Sequence, residues 1–553
     1  MRRDLDRLTA RAFDVLVVGG GIYGLTIACD AAARGLDVGL IERGDFGSGS
    51  SFNHLRTIHG GLRYLQTLDL ARARESVRER RTLARIAPHT LRVLPFALPL
   101  SPALMTGKTA MRLGLLLDRL VAADRNTGVP RDLRLPAGGV LSKDEAVRRF
   151  PGLRRPGMTG AAVWHDYVTV EADRLTLAWA AAASGYGAAI ANYVEALSLL
   201  EESGRVRGVR ARDVQTGREF EIAATVTVNA TGPAIDKLLE PLGAATGMPL
   251  LKAMNLVTAR DASDDAALGG RTRSGRHLFM VPWHSHAVFG TWESAARTSH
   301  DDLSAREEEV ARFIGEINQA FPSLDLRLPD VALVHRGVVP AVVGANGVVG
   351  LEGRERIFDH AVPHDRRTKP VSGILSVAGV KYTTARRVAE RVTDRLAVLT
   401  GRKTRPCATA EARLPGGDLD GMTTAIGDAR REFGDLLPSD SLPHLIAAYG
   451  SRYREVVALA ASRQEWKTRL VDSSPVVGAE LVWAFREEMA QTLADAVIRR
   501  TPLGALGYPG DQAAQQSAAI IAAELGWTPD RTREELNDLK AFYATVPIPI
   551  PNP

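Results

Sequence analysis

Gly19, Gly21 and Gly24 follow the valine-rich run Phe13–Val18 in the spacing GxGxxG. Each glycine has a separate task in such a spacing. The first permits a tight turn, the second lets backbone approach a pyrophosphate, and the third lets a helix pack close to a sheet. The pyrophosphate then rests on free N–H groups at the helix N-terminus. Glu42 stands 18 residues beyond Gly24, where a carboxylate accepts hydrogen bonds from a ribose. The chemistry is dinucleotide binding, and the glycines alone do not separate a flavin from a nicotinamide.

The elements that must hold these residues are legible. Phe13–Val18 reads as a buried parallel strand, residues 22–34 as a helix closed by Gly35, and residues 37–41 as a second strand. That is a βαβ unit, which requires a parallel sheet. Further along, residues 72–87 read as a helix ended by Pro88, with Glu75 and Glu79 spaced to pair with its arginines. Residues 173–183 also read as helix, and strands are expected at 189–194, 206–213 and 219–228. Residues 277–282 and 287–291 flank a turn and suggest an antiparallel sheet; 374–378 reads as strand and 383–399 as helix. Residues 95–136 carry mixed signals. Helical spacing dominates the remainder, at 442–449, 476–500 and 511–525.

Composition narrows the class. The chain has 553 residues, 45% of them hydrophobic, enough for several domains with large cores. Cys29 and Cys407 are the only cysteines and have no CxxC partner, which excludes a disulfide framework and a cysteine-rich metal site and fits a reducing compartment. His277, His284 and His286 have no carboxylate cluster beside them, so no metal is expected. The most apolar stretch, residues 111–123, contains Arg112, Asp118 and Arg119 and is too short and charged to span a bilayer. Net charge is +6, with a dense arginine run between Arg72 and Arg85. That run is read as a solvated helix face, with anionic lipid as an alternative contact; no nucleic-acid partner is expected.

Longer motifs narrow the reading further. Ser50-Ser51, Ile58-His59-Gly60-Gly61-Leu62-Arg63-Tyr64-Leu65, Ala87-Pro88-His89, Val228–Pro233, Val281-Pro282-Trp283, Lys381-Tyr382-Thr383-Thr384, Leu414–Gly417 and Tyr449-Gly450-Ser451 occur in one order along nearly the whole chain. In this the chain resembles the FAD-dependent glycerol-3-phosphate dehydrogenases of the D-amino-acid-oxidase superfamily. The resemblance implies an α/β fold: a Rossmann-like FAD-binding domain interleaved with an antiparallel-sheet substrate domain over residues 1–405, the cap mainly about 90–165 and 245–365, and a helical domain over 406–553. It implies FAD held by Gly19, Gly21, Gly24, Glu42, Ser50, Ser51, Val194, Ala230, Thr231, Gly232, Gly379, Lys381 and Thr383. It places Arg63, Tyr64, Arg354 and Lys381 around a phosphorylated substrate. It also implies a cytoplasmic enzyme, peripheral on the inner face of the membrane, passing electrons to quinone or oxygen; a homodimer is open.

The chain departs from the family at two substrate positions. Where relatives carry a histidine stands Asn255, and where they carry an arginine stands Val339, in Arg336-Gly337-Val338-Val339-Pro340. An amide cannot take a hydroxyl proton, a service a base performs for roughly 10²–10⁴-fold in rate. Valine cannot pair with a phosphate. His59, His335, Arg336 and Lys381 are the replacement candidates, and an unphosphorylated polyol, a hydroxy acid or an amine is the alternative substrate. His54 stands where relatives have a small residue. Some amine oxidoreductases of the superfamily tether FAD through a histidine in this neighbourhood, so His54 is either a flavin neighbour that packs or a covalent anchor.

Overall fold

The computed structural model describes residues 1–544 except 103–106, 172, 261, 263–264, 345–348, 352 and 363–368. The chain opens with β1 (Phe13–Val18), α1 (Ile22–Ala33) and β2 (Val38–Ile41). It crosses into a second layer through β3 (Thr57–Ile58), α2 (Leu70–Ile86), β4 (Leu91–Leu100), α3 (Lys108–Val121), β5 (Gly139–Ser142) and β6 (Gly160–Thr169). It returns through α4 (Arg174–Gly185), β7 (Ala189–Ala191), β8 (Val194–Glu202), β9 (Arg205–Asp213) and β10 (Glu219–Asn229). The second layer is completed by β11 (Leu250–Thr258), β12 (Ala267–Arg271), β13 (His277–Trp283), β14 (His286–Glu293), α5 (Glu307–Ala320), β15 (Val331–Val343) and β16 (Val349–Leu351). β17 (Arg356–Asp359), β18 (Ile374–Ala378) and α6 (Ala385–Thr400) bring the chain home, so it rejoins the first sheet by Arg356, ahead of the limit near 365 expected for the cap.

β2, β1, β10 and β18 run parallel and adjacent in the first sheet. Their valine and isoleucine runs are apolar throughout because helices cover the sheet: Val15, Val17, Val228 and Val377 share a core with Leu25 of α1, Trp179 of α4 and Val388 of α6. The second sheet runs β16-β15-β11-β14-β13-β12-β4-β6-β3, largely antiparallel, with α5 on one face. Its other face meets the C-terminal helices, among them α7 (Met422–Phe433), α8 (Ser441–Tyr449), α9 (Tyr453–Ala461), α10 (Gly478–Glu487), α11 (Asp511–Leu525) and α12 (Pro529–Ala544). Phe52, Val257, Trp283 and Leu333 belong to the same apolar core as Leu445, Val482 and Ile498.

Two readings need correction. Residues 476–500 are not one helix. α10 ends at Glu487, Met489 takes φ +57°, and Asp495–Arg500 forms a π-turn. The Glu488 carboxylate is held by Arg174 at 2.6 and 2.7 Å, and Asp495 accepts the N–H groups of Gln491 and Thr492, side-chain bonds that displace the helical ladder. Nor is α2 a simply solvated face. Arg74 and Arg81 both hold Asp124, Arg80 is buried on Asp166, and Glu79 pairs with Arg386 of α6 at 2.6 Å rather than along its own helix.

Candidate functional site

Gly19 ends β1 with φ +109°, and a Cβ there would meet the Ala230 carbonyl. A Cβ on Gly24 would strike the Gly19 carbonyl, so glycine at 24 is what lets α1 approach the turn. The N-cap residue of α1, Gly21, is extended and offers no side-chain cap. Ser51 reaches in instead, its Oγ accepting the Ile22 N–H at 2.9 Å. Glu42 accepts the Gly20 N–H at 2.6 Å and the Gly44 N–H at 2.8 Å. Burial raises its pKa above the ordinary value, with those two N–H bonds opposing the rise.

The remaining candidates for the dinucleotide converge on the carboxyl ends of β1, β10 and β18, where open parallel sheets bind ligands. Val194, fully buried, donates its N–H to the Glu42 carbonyl at 2.8 Å. Ala230 donates to the Val18 carbonyl, Thr231 Oγ1 donates to Asn229 Oδ1 at 2.7 Å, and Gly232 has φ +62°. Past β18, a Cβ on Gly379 would collide with the Tyr23 hydroxyl, which donates to the Lys381 carbonyl at 3.0 Å; Thr383 is buried beyond it. Ser50 Oγ donates to the Val338 carbonyl at 3.2 Å. A glycine turn, a helix start whose N-cap residue has no side chain, a serine hydroxyl at its first N–H and a carboxylate beside it fit the pyrophosphate and ribose of FAD.

Beyond Gly379 lies a group of cations around one phenol. The Tyr64 ring has Lys381 Nζ at 4.7 Å from its centroid, the Arg72 guanidinium at 4.3 Å and that of Arg63 at 5.3 Å. Burial raises the Tyr64 pKa, but Lys381, Arg72 and Arg63 outweigh it and hold the phenol below its ordinary value. Burial lowers the Lys381 pKa, against the pull of Tyr64, Glu355 and Glu75. Lys381 Nζ donates to Ser76 of α2. Arg354 lies at the exposed rim, 3.2 Å from Asp69. Sequence reasoning missed Arg72, Ser76 and Glu355. Arg72 and Ser76 sit one helical turn apart on α2, and nothing in their spacing betrays that this face meets Lys381.

The replacement candidates fare differently. His335 stands directly opposite Asn255 in the β11–β15 ladder, yet it is fully buried against Phe52 and Trp283, and neither ring nitrogen has a hydrogen-bond partner among the described residues. Burial holds its pKa well below the usual value, with Arg56 and His54 adding to the shift. Arg336 is opposite Met254, between Val338 opposite Lys252 and Val334 opposite Leu256. Lys252 pairs with Glu309 of α5, and Met254, Leu256 and Val334 share a core with that helix. Period-two alternation therefore puts Arg336 on the α5 face, away from Asn255, His335 and Val339, so it is corrected as a stand-in for the missing arginine. Asn255 is structurally committed: Nδ2 donates to the Asn53 carbonyl at 2.9 Å and Oδ1 accepts from Thr291. His59 is half-exposed, 2.6 Å from Thr57 Oγ1 and 3.6 Å from Asp166. His54 stacks on Tyr382 with centroids 4.7 Å apart, and its Nδ1 accepts the Arg56 N–H, an arrangement in which the ring packs. Among the described residues no His, Cys, Asp and Glu gather as metal ligands, and no helix is long and apolar enough to cross a membrane.

Known proteins share this architecture. Residues 14–394 match the model of the FAD dependent oxidoreductase family, and residues 407–532 match the C-terminal domain of alpha-glycerophosphate oxidase. The mitochondrial glycerol-3-phosphate dehydrogenase of Mesocricetus auratus is 33% identical over 96% of this chain and 73% of its own. Glycerol-3-phosphate dehydrogenase 2 of Mycobacterium bovis is 32% identical over 98% and 90%. The crystal structure of the glycerol-3-phosphate dehydrogenase from Bacillus halodurans complexed with FAD superposes with a TM-score of 0.76 at 26% identity, covering 98% of this chain and 96% of that one. The chain belongs to the FAD-dependent oxidoreductases, in the family of the glycerol-3-phosphate dehydrogenases.

Proposed function

We propose that the protein oxidises the secondary hydroxyl of sn-glycerol 3-phosphate, giving dihydroxyacetone phosphate, and hands the electrons to a membrane quinone. The observation that carries the substrate class is the gathering of Arg63, Arg72 and Lys381 about Tyr64, with Arg354 at the rim. Cations and a phenol at one spot suit a phosphate ester. In this reading Arg63 and Arg72 supply positive charge that Val339 cannot. FAD, when bound, supplies the acceptor for the hydride that leaves the carbinol carbon. The chain supplies the turn for the pyrophosphate, the guanidinium groups of Arg63 and Arg72 for the ester, and a neutral amine for the hydroxyl proton. We assign that proton to Lys381 Nζ. Its pKa is lowered by burial, it borders the site, and Nζ donates to the neutral Ser76 hydroxyl with the Tyr64 phenol beside it. Purified protein should lose its flavin absorbance anaerobically on adding glycerol 3-phosphate and keep it with glycerol. Bleaching by an unphosphorylated polyol, hydroxy acid or amine alone would establish the alternative.

The lipid-facing element in this proposal is α3 rather than the arginine-rich α2. Leu113, Leu116 and Leu120 occupy one helical stripe and are 64%, 54% and 68% exposed, beside Leu68 at 72%. Exposed Arg112 and Arg119 flank them. An apolar stripe edged by cations suits a monotopic contact with an anionic bilayer, where a quinone is at hand.

A further inference from the structure

The stretch from Glu42 to Arg56 joins the two sheets and carries Glu42, Ser50 and Ser51, which the proposed function gives to the dinucleotide. Glu42 accepts from Gly20, the Gly47 N–H donates to the Gly20 carbonyl at 2.9 Å, and Ser51 accepts from Ile22. Three residues into it Asp45 is buried, and its carboxylate is turned to the C-terminal helical region. Its Oδ2 accepts from Arg499 Nε at 2.6 Å and Arg500 Nη1 at 2.6 Å; its Oδ1 accepts from Arg500 Nη2 at 2.8 Å and Asn192 at 3.0 Å. Both arginines belong to the C-terminal helical region.

Successive residues of an α-helix point about 100° apart, so two neighbouring arginines do not ordinarily meet one carboxylate. Here they lie at the end of the Asp495–Arg500 π-turn, a rare geometry that re-aims side chains. The turn is itself secured. Asp495 holds Arg499 and accepts the Tyr193 hydroxyl at 2.8 Å, while Arg500 donates to the Glu488 carbonyl. Glu488 in turn holds Arg174 of α4. Burial would raise the Asp45 pKa, but Arg500 and Arg499 hold it far below the carboxylate range, so the carboxylate remains charged. Charges balance locally, two arginines against Asp45 and Asp495.

We infer that Arg499 and Arg500 are positioning residues for FAD: the C-terminal helical region clamps the Glu42–Arg56 stretch through Asp45 and sets how tightly the dinucleotide is held without touching it. A stretch that samples its binding-competent form only part of the time binds more weakly by that fraction. The C-terminal region thereby becomes part of the flavin site rather than an appendage to it.

The test measures flavin fluorescence appearing after dilution of the holoenzyme, together with hydrogen exchange of the amides of residues 43–51. Arg500→Gln and Asp45→Asn should each speed FAD loss at least about tenfold, and the double variant should be no worse than the poorer single one. Amides of 43–51 should exchange faster, and excess FAD should restore their protection. Arg500→Lys should recover part of the retention. His444→Gln, which weakens the same interdomain contact at a distance from the stretch, should leave FAD loss within about twofold. FAD loss unchanged in Arg500→Gln and Asp45→Asn overturns the inference. So does failure of both to fold even with excess FAD, since that would make the cluster purely structural.

Discussion

Lys381 of the turn after β18 and Ser76 of α2 are hydrogen-bonded, and Tyr64 lies against the same ammonium with its ring centre 4.7 Å away. Burial has lowered the Lys381 pKa, which favours the neutral amine, while the cations around Tyr64 lower that of the phenol, which favours its ionised form. If Nζ receives the substrate proton, Lys381→Met should lower kcat/KM roughly 10²–10⁴-fold. Ser76→Ala should move the basic limb of the pH–rate profile while leaving FAD content intact. A Lys381→Met enzyme with wild-type kcat/KM would remove the assignment.

Arg336 and Arg63 separate two accounts of how the missing arginine is replaced. Strand alternation puts Arg336 on the α5 face, whereas Arg63 belongs to the group around Tyr64. Arg336→Ala should leave KM for the phosphate ester within about twofold, and Arg63→Ala should raise it by about tenfold or more, the loss expected when a charge-assisted bond is removed. The reverse ranking would mean that β15 presents Arg336 to the substrate after all.

Much of this site could be read before the fold was known, and the reason differs from residue to residue. The Gly19–Gly24 turn is legible because its function is a backbone shape, and backbone shape writes itself into glycine spacing; Glu42 is legible because the βαβ unit fixes where a carboxylate ends the second strand. The parallel strands are legible because a sheet covered on both faces tolerates only apolar runs. Arg72 and Ser76 were not legible: their meaning comes from Lys381, about three hundred positions later, through a contact no local period encodes. The break after Glu487 was hidden similarly, because helical spacing persists while buried bonds from Glu488 and Asp495 overrule it. Arg336 shows the opposite failure. Nearness in sequence to Val339 suggested compensation, and the two-residue period of a strand sends the neighbouring faces apart.

Asp173 should make stability fall with rising pH. It is 2% exposed, its Oδ2 has no hydrogen-bond partner among the described residues, and burial pushes its pKa up to about 7 from 3.8. A folded-state pKa above the unfolded value means the native carboxyl keeps a proton that the unfolded chain releases. Stability from this group is full below about pH 4 and is lost progressively as pH rises to about 7. Asp173→Asn should therefore gain on the wild type between those limits, by up to about 4 kcal/mol at roughly 1.4 kcal/mol per unit. Denaturant midpoints of both proteins at pH 5 and pH 8 measure it; equal differences at the two pH values would count against a raised pKa.

His444 gives the opposite arrangement at the junction of the cap and the C-terminal helices. It lies 3.1 Å from Glu171 and 2.8 Å from Glu480, with the Tyr449 hydroxyl donating to Glu480 as well. Burial would lower its pKa, but Glu480 and Glu171 raise it well above the usual histidine value. Its stabilising charge is fully present below the unfolded pKa of about 6.5 and is lost as pH climbs through the higher folded value. His444→Gln leaves two buried carboxylates without their cation, at a cost of about 3–5 kcal/mol near pH 6. Thermal unfolding should show a large Tm deficit at pH 6 that narrows in alkaline buffer. A deficit that grows with pH would mean the imidazole is neutral in the native protein.

The contact with lipid tests whether charge or apolar surface governs membrane association. Arg74, Arg80 and Arg81 of α2 already have carboxylate partners: Arg74 and Arg81 share Asp124, and Arg80 holds Asp166. Their charge is largely neutralised where it stands, so substituting them should do little to vesicle binding. The leucines of α3 have no such cover, and Leu116→Asp with Leu120→Asp places two carboxylates where acyl chains would sit. Since a buried methylene contributes about 0.8 kcal/mol, losing two leucines should weaken binding to vesicles containing anionic lipid by well over tenfold. The wild type should sediment with such vesicles at low salt and less so at about 0.5 M, because screening weakens only the arginine contribution. Flavin content and anaerobic bleaching by substrate should be unaltered in the double variant, while quinone reduction in vesicles should fall with binding. If the double variant sediments as the wild type does, α3 is not the docking face.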